Sequence, residues 1–104
     1  MQQQAHIIKT DPKYFERVAQ NHKRFELRKN DRGYRLGDIL ILREYDERTE
    51  QYTGRVLTVR VKFLTDYPRA LKRGYVAMSL SRPRPISYDD ALRLFERINT
   101  TGGS

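Results

Sequence analysis

The sequence lacks cysteine altogether and has no long apolar run in its 104 residues. Without cysteine the chain has no disulfide, thiolate nucleophile or zinc knuckle. The apolar runs are far shorter than the roughly 18 residues needed to span a bilayer, so no membrane partner is expected. Residues 1–4 have neither the basic nor the apolar stretch of a secretory signal. We therefore expect a cytoplasmic protein.

Acidic side chains are scarce relative to basic ones. Twenty-one lysines and arginines against 13 aspartates and glutamates give a net charge of +8. A small basic domain attracts polyanions, RNA or DNA first, although the same charge can also serve only solubility. Residues 46–66 contribute no net charge, whereas residues 23–35 contain six basic and two acidic side chains. This basic stretch is the first place to look for a binding site.

The apolar pattern predicts five short strands. Most show period-two alternation, and 39–42 is a continuous apolar run typical of a strand buried on both faces. In the second strand, Phe25 and Leu27 form the apolar face. Turns rather than crossover helices separate the strands, which argues against a doubly wound parallel sheet. The predicted strands are 5–9, 24–28, 39–42, 57–63 and 76–80.

Two helices flank these strands. Asp11 and Pro12 start the first, because aspartate caps free N–H groups and proline suits the first helical position. It should end near Asn21, since asparagine tolerates left-handed backbone. Ser87 caps the second helix, at about 87–99, whose apolar stripe favours packing on the sheet over partner binding. The predicted apolar face of the first helix consists of Tyr14, Phe15 and Val18.

These elements predict an α+β fold: a small, mixed, partly closed β-barrel with one early helix and a C-terminal helix. We expect a single domain over 1–104, with its core at about 5–81, because no linker interrupts the chain.

The chemistry is concentrated on the second strand. Arg24, Glu26 and Arg28 alternate there, so Glu26 can lie between two guanidinium groups and hold them in fixed rotamers. Oriented arginines bind phosphates and base edges well. The alternative is an ordinary ion pair on a solvated face, worth under about 1 kcal/mol.

A helix followed by Lys23-x-x-Glu26-x-Arg28 resembles the ASCH domain of the PUA-like superfamily. Residues 28–32, 37–40 and 52–55 are similar to a small phage and bacterial branch of that family, commonly described as RNA-binding. Asn21 stands where the motif has glycine, and asparagine also accepts a positive φ. The resemblance covers about 5–81. It implies a five- or six-stranded barrel with an RNA- or nucleotide-binding cleft lined by the motif.

The resemblance and the local charge together give the expected binding residues. Lys23 and Arg28 would contact phosphate or base edges, and Glu26 would orient them or accept from a base amino group. Two tyrosines in basic or turn contexts, Tyr34 and Tyr67, could stack on bases. The cations expected to supply the surrounding field are Arg24, Lys29, Arg32 and Arg35. Two further basic groups, 69–73 and 82–84, are expected to serve solubility.

Two other functions remain open. Some relatives hydrolyse N4-acetylcytidine with the motif lysine, a threonine at the position of Glu26 and a later glutamate, for which Glu44 and Glu50 are the nearest candidates here. In such an enzyme, or in a metal-independent ribonuclease, Lys23 and Glu26 would be the catalytic pair. The third possibility is a phage-type protein-interaction module that uses Leu92 and Phe95 of the C-terminal helix.

No metal or cofactor is expected, and the protein is expected to be a monomer. His6 and His22 lack acidic or cysteine partners at ligand spacing. The six glycines are scattered and form no phosphate-binding loop.

Overall fold

The computed structural model describes residues 3–101. Met1 and Gln2, which belong to the N-terminal stretch discussed above, lie outside the described residues. The six strands are β1 (Ala5–Thr10), β2 (Phe25–Lys29), β3 (Ile39–Asp46), β4 (Gln51–Thr65), β5 (Tyr75–Leu80) and β6 (Arg84–Pro85). The two helices are α1 (Pro12–Ala19) and α2 (Tyr88–Thr101). Neither is long and apolar enough to cross a membrane.

The strands form one mixed sheet in the order β1-β3-β4-β5-β2, with β6 paired to β4. β1 and β3 are parallel, and the other pairs are antiparallel. The α+β class is confirmed, but the sheet is open, with β1 and β2 at its two ends. Two arginine side chains bridge these ends: Arg28 Nη2 donates to the Lys9 carbonyl at 3.0 Å, and Arg32 Nη1 donates to the Ile7 carbonyl at 2.5 Å.

The inner face of the sheet holds the main core, which α1 covers with Phe15 and Val18. The apolar run of β3 is buried on both faces, as predicted: Leu40, Ile41 and Leu42 are fully buried. Burying each such side chain contributes about 1.5–3 kcal/mol. The sheet residues of this core are Ile8, Leu40, Leu42, Leu57, Val59, Val61, Val76, Met78 and Leu80.

The outer face of β1 and β3 packs against α2. Ala91 and Phe95 of α2 lie with Ile41 in a second apolar cluster, so the prediction that this helix packs on the sheet is confirmed. The Ser87 hydroxyl accepts from the Asp90 N–H at 3.1 Å and caps the helix, as expected. Asn99 fixes the other end: its Oδ1 accepts from the Ala5 N–H at 2.8 Å and its Nδ2 donates to the Ala5 carbonyl at 3.0 Å.

α1 begins and ends close to the predicted positions. The Asp11 carboxylate accepts from the Lys13 N–H at 2.9 Å, and Asn21 has a φ of 62° just beyond the helix. The prediction that Tyr14 belongs to the buried face of this helix is wrong, because half of its surface is exposed.

β3 and β4 extend further than the apolar pattern predicts. Their pairing continues to Asp46 and Gln51, so the turn spans only 47–50. The rings of the preceding pair, Tyr45 and Tyr52, meet edge-on at 4.9 Å. In β4 the pairing register shifts between Val61 and Phe63. Such a bulge reorients the residues that follow, and Phe63 is exposed although alternation places it with Val61.

Candidate functional site

β2 faces the opposite way from the prediction. Glu26 pairs with Met78, and residues directly opposite each other in an antiparallel pair share a face, so Glu26 points into the sheet interior. Glu26 is 4% exposed, whereas Phe25 is 48% and Leu27 is 54% exposed. The apolar residues of this strand therefore face outward, and its carboxylate lies at the rim of the core.

Two cations neutralise the buried carboxylate. Glu26 Oε1 accepts from Lys23 Nζ at 2.6 Å, and Oε2 accepts from Arg28 Nε at 2.9 Å. Because a buried charge is costly unless it is paired and hydrogen-bonded, this arrangement fixes all three side chains. Backbone carbonyls hold both cations as well: Lys23 Nζ donates to the Phe25 carbonyl at 2.7 Å, and Arg28 donates to Lys9 as described above.

The turn after α1 delivers Lys23 to this position. The Arg17 carbonyl accepts from the N–H groups of His22 and Lys23 at 2.9 and 3.0 Å. The left-handed backbone at Asn21 makes this geometry possible, and asparagine adopts it at low cost. Lys23, rather than Arg24, is therefore the first cation of the cluster. Arg24 is exposed, and its Nε donates to the Asn21 carbonyl at 3.3 Å.

The Lys23–Glu26–Arg28 cluster lies in a cleft of about 590 Å³ between the start of α1 and β2. Exposed apolar side chains form much of its wall. Lys23 Nζ lies 4.9 Å from the ring centroid of Phe25 and 5.8 Å from that of Tyr14, distances at which a cation and a ring attract. The lining residues are Thr10, Asp11, Tyr14, Lys23, Phe25, Glu26, Leu27, Arg28, Lys29 and Tyr75.

Thr10 adds an unsatisfied polar group to this cleft. It ends β1, and its Oγ1 is buried with no hydrogen-bond partner within the described part of the chain. Buried hydroxyl groups are nearly always hydrogen-bonded in folded proteins. No sequence pattern connects Thr10 with the motif, because it lies 13 positions before Lys23 and only the fold brings the two to one cleft.

Of the other predicted binding cations, only one lies in the cleft. Lys29 lines the cleft, whereas Arg24, Arg32 and Arg35 do not. Arg32 bridges to β1, as described above, and Arg35 lines a different groove. The structure therefore brings together Lys23, Glu26, Arg28 and Lys29 from the predicted set.

The prediction that Tyr34 stacks on a base is wrong, because Tyr34 is only 4% exposed. Its ring packs edge-on against His6 with the centroids 4.8 Å apart, and its N–H donates to the Asn30 side chain at 2.8 Å. Burial raises the pKa of the Tyr34 phenol above its usual 10.0. Tyr67 is exposed, as its predicted role requires, but it lies outside the cleft lining.

His6 has an acidic partner that sequence spacing did not reveal. His6 Nε2 lies 2.8 Å from Asp38 Oδ2, and Asp38 also accepts from the N–H groups of Gln4 and Arg35 at 3.0 Å each. This buried aspartate therefore ties β1 to the turn before β3. Within residues 3–101, no three or more His, Cys, Asp or Glu side chains are grouped so that they could hold a metal ion.

The part of the chain that forms the cleft matches a known protein family. A family model described as "Domain of unknown function (DUF3850)" matches residues 5–80, which include every lining residue of the cleft and leave α2 outside. A protein of Escherichia phage P2, described as an uncharacterized 12.9 kDa protein in the GpA 3′ region, is 41% identical over 66 residues. That match covers 64% of this chain and 59% of the phage protein. Because the model matches most of the chain, the protein belongs to the DUF3850 family.

Proposed function

We propose that this protein binds RNA by holding one nucleotide in the cleft. The observation that carries the proposal is the Lys23–Glu26–Arg28 cluster at the base of a cleft with aromatic walls. A buried carboxylate orients two cations there, and fixed cations suit phosphates or the acceptor edge of a base. The exposed rings of Tyr14 and Phe25 provide surfaces on which a base can stack.

Donor groups remain for a ligand after the internal contacts are counted. Lysine has three N–H donors, of which Glu26 and the Phe25 carbonyl occupy two. Arginine has five, and the described contacts of Arg28 use its Nε and Nη2. The cleft volume of about 590 Å³ falls within the range of small-molecule sites.

The sequence motif supports the same function. Residues Lys23, Glu26 and Arg28 match the ASCH motif, and we extend the proposal to an ASCH domain of the PUA-like superfamily that acts in the cytoplasm. On this view the open sheet, with its ends bridged by Arg28 and Arg32, corresponds to the partly closed barrel.

Binding titrations at low salt test the proposal, with a labelled RNA of roughly 20 nucleotides and with a single nucleotide as ligands. We expect Lys23→Ala and Arg28→Ala each to weaken binding of both ligands by about tenfold or more, a loss of about 1.4 kcal/mol. Arg48→Ala is the matched control, because Arg48 has a 91% exposed side chain on the 47–50 turn. Unchanged affinity for both cleft variants would refute the assignment.

A second function is favoured by Thr10, which lines the same cleft as Lys23 and Glu26 and whose buried hydroxyl has no hydrogen-bond partner within residues 3–101. A hydroxyl, an ammonium and a carboxylate in one cleft could support hydrolysis of an amide, with Lys23 and Glu26 in acid–base roles. The candidate reaction adds water to N4-acetylcytidine and releases cytidine and acetate. Incubation with purified protein tests it: deacetylation that is lost in Lys23→Ala supports an enzyme, and no product at high protein concentration excludes it.

A further inference from the structure

A second cationic surface of the described chain lies outside the cleft. A groove of about 460 Å³ is lined by Arg35, Arg60 and Lys62, and a second groove, of about 610 Å³, is lined by Arg60, Arg82 and Arg84. Because they share Arg60, the two grooves adjoin. We refer to these five cations as the β4 basic surface.

Pairing of distant segments assembles this surface. Arg60 and Lys62 lie on β4, and β6 places Arg84 beside Thr58 of the same strand. The Ser81 hydroxyl accepts from the Arg60 N–H at 2.8 Å, which fixes the segment that carries Arg82. The sequence alone predicts only a solubility role for 82–84, because no local signal connects this segment to β4.

The β4 basic surface carries uncompensated charge. All five side chains are exposed, and none forms an ion pair within residues 3–101. Among the described residues no carboxylate lines either groove, whereas the cleft contains Asp11 and Glu26 beside its three cations. Asp38 adjoins Gly37 of the first groove, but it is fully buried and hydrogen-bonded inside. The electrostatic potential at the grooves is therefore more positive than the potential at the cleft.

We propose that the β4 basic surface binds the phosphate backbone of an RNA strand whose nucleotide occupies the cleft. The inference rests on the proposed function and adds a second contact. The grooves and the cleft share no lining residue, and β5 separates β4 from β2 in the sheet. A mononucleotide in the cleft leaves these cations unused, whereas a polynucleotide offers a phosphate at every residue. Four of the five cations are arginines, whose planar donors bind phosphate bidentately.

A comparison of two double variants tests the inference. Arg60→Ala/Arg82→Ala removes two cations of the surface, and Lys72→Ala/Arg73→Ala removes two exposed cations of the β4–β5 loop, outside both grooves. Both changes lower the net charge equally. Binding of a mononucleotide and of a single-stranded RNA of roughly 20 nucleotides is measured across a salt series, with thermal unfolding as the folding check.

We expect Arg60→Ala/Arg82→Ala to weaken RNA binding by about tenfold or more at low salt and to leave mononucleotide binding unchanged. The slope of log affinity against log salt should fall in magnitude by about 1.4, since each lost contact to a single strand contributes about 0.7. The loop variant should change RNA affinity by less than about threefold.

Four results would overturn the inference. Equal losses in the two double variants would mean that only net charge matters. Full RNA affinity of Arg60→Ala/Arg82→Ala, with mononucleotide binding intact, would refute this surface while the proposed function stands; a wild type that binds neither ligand would refute both. Displacement of the RNA by polyglutamate as efficiently as by unlabelled RNA of equal charge would assign the surface to acidic proteins instead.

Discussion

Glu26 Oε1 and Lys23 Nζ lie 2.6 Å apart, and this contact joins the turn after α1 to the interior face of β2. The carboxyl side chain is 6% exposed and that of Lys23 is 16% exposed, so water screens the pair only weakly. Arg28 completes the charge balance from the other side. The same contacts that would position a ligand therefore also hold an edge strand against the core.

Replacing Glu26 should destabilise the fold. In Glu26→Ala, Lys23 and Arg28 lose their counterion in a mostly buried place, which we expect to lower the free energy of unfolding by about 2 kcal/mol or more. Urea denaturation measures the loss. Glu16→Ala is the matched control, because Glu16 pairs with Arg55 at 2.9 Å on a half-exposed site and should lose less than about 1 kcal/mol. Similar losses in the two variants would contradict the prediction.

Arginine at positions 28 and 32 should be required to bridge the sheet ends. Arg28 serves Glu26 through Nε and the Lys9 carbonyl through Nη2, and a lysine cannot reach two acceptors with a rigid fork. We expect Arg28→Lys/Arg32→Lys to lower stability by about 1–2 kcal/mol and to speed amide hydrogen exchange in β2 more than in β3. Arg24→Lys, on the exposed turn, is the control. If the double variant speeds exchange equally in β2 and β3, the arginine bridge does not stabilise β2 locally.

Local signals were readable from the sequence alone. Asp11 and Asn21 mark the limits of α1 because capping and left-handed backbone depend on residues a few positions apart. The resemblance to the ASCH motif pointed to Lys23, Glu26 and Arg28, whereas alternation along the strand pointed to Arg24 in place of Lys23. The three residues lie within six positions, in the turn before β2 and in β2 itself, so little long-range information was needed to group them.

Features that depend on pairing between distant segments could not be predicted from the sequence. Alternation in β2 shows two faces, but only the pairing of Glu26 with Met78 shows which one is inside. Tyr34 stands in a basic turn, yet contact with His6, 28 residues earlier, buries it. The grooves around Arg60 depend in the same way on strands that are distant in sequence.

Asn99 should be a stability determinant of the α2 contact. Its side-chain amide makes hydrogen bonds to both the N–H and the carbonyl of Ala5. These are the two bonds that a residue of a neighbouring strand would make at this edge of β1. We expect Asn99→Ala to lower the free energy of unfolding by about 1–2 kcal/mol and to raise the exchange rate of the Ala5 amide. Asn99→Asp keeps the acceptor and loses the donor, so its free energy of unfolding should lie between those of the wild type and Asn99→Ala. A variant as stable as the wild type would mean that the apolar contacts of α2 suffice.

Tyr34 should make the protein sensitive to alkaline pH. Burial raises the pKa of its phenol above 10.0, so the folded state holds the phenolic proton more tightly than the unfolded chain does. This contribution to stability is complete below the unfolded pKa of about 10 and is lost as the pH rises through the folded pKa. Tyr34→Phe has no phenol to ionise. Its free energy of unfolding should therefore fall less than that of the wild type between about pH 8 and about pH 11, as measured by urea denaturation. Tyr67→Phe, at an exposed tyrosine, is the control. If Tyr34→Phe and the wild type lose the same stability over this range, ionisation of Tyr34 does not contribute to the alkaline transition.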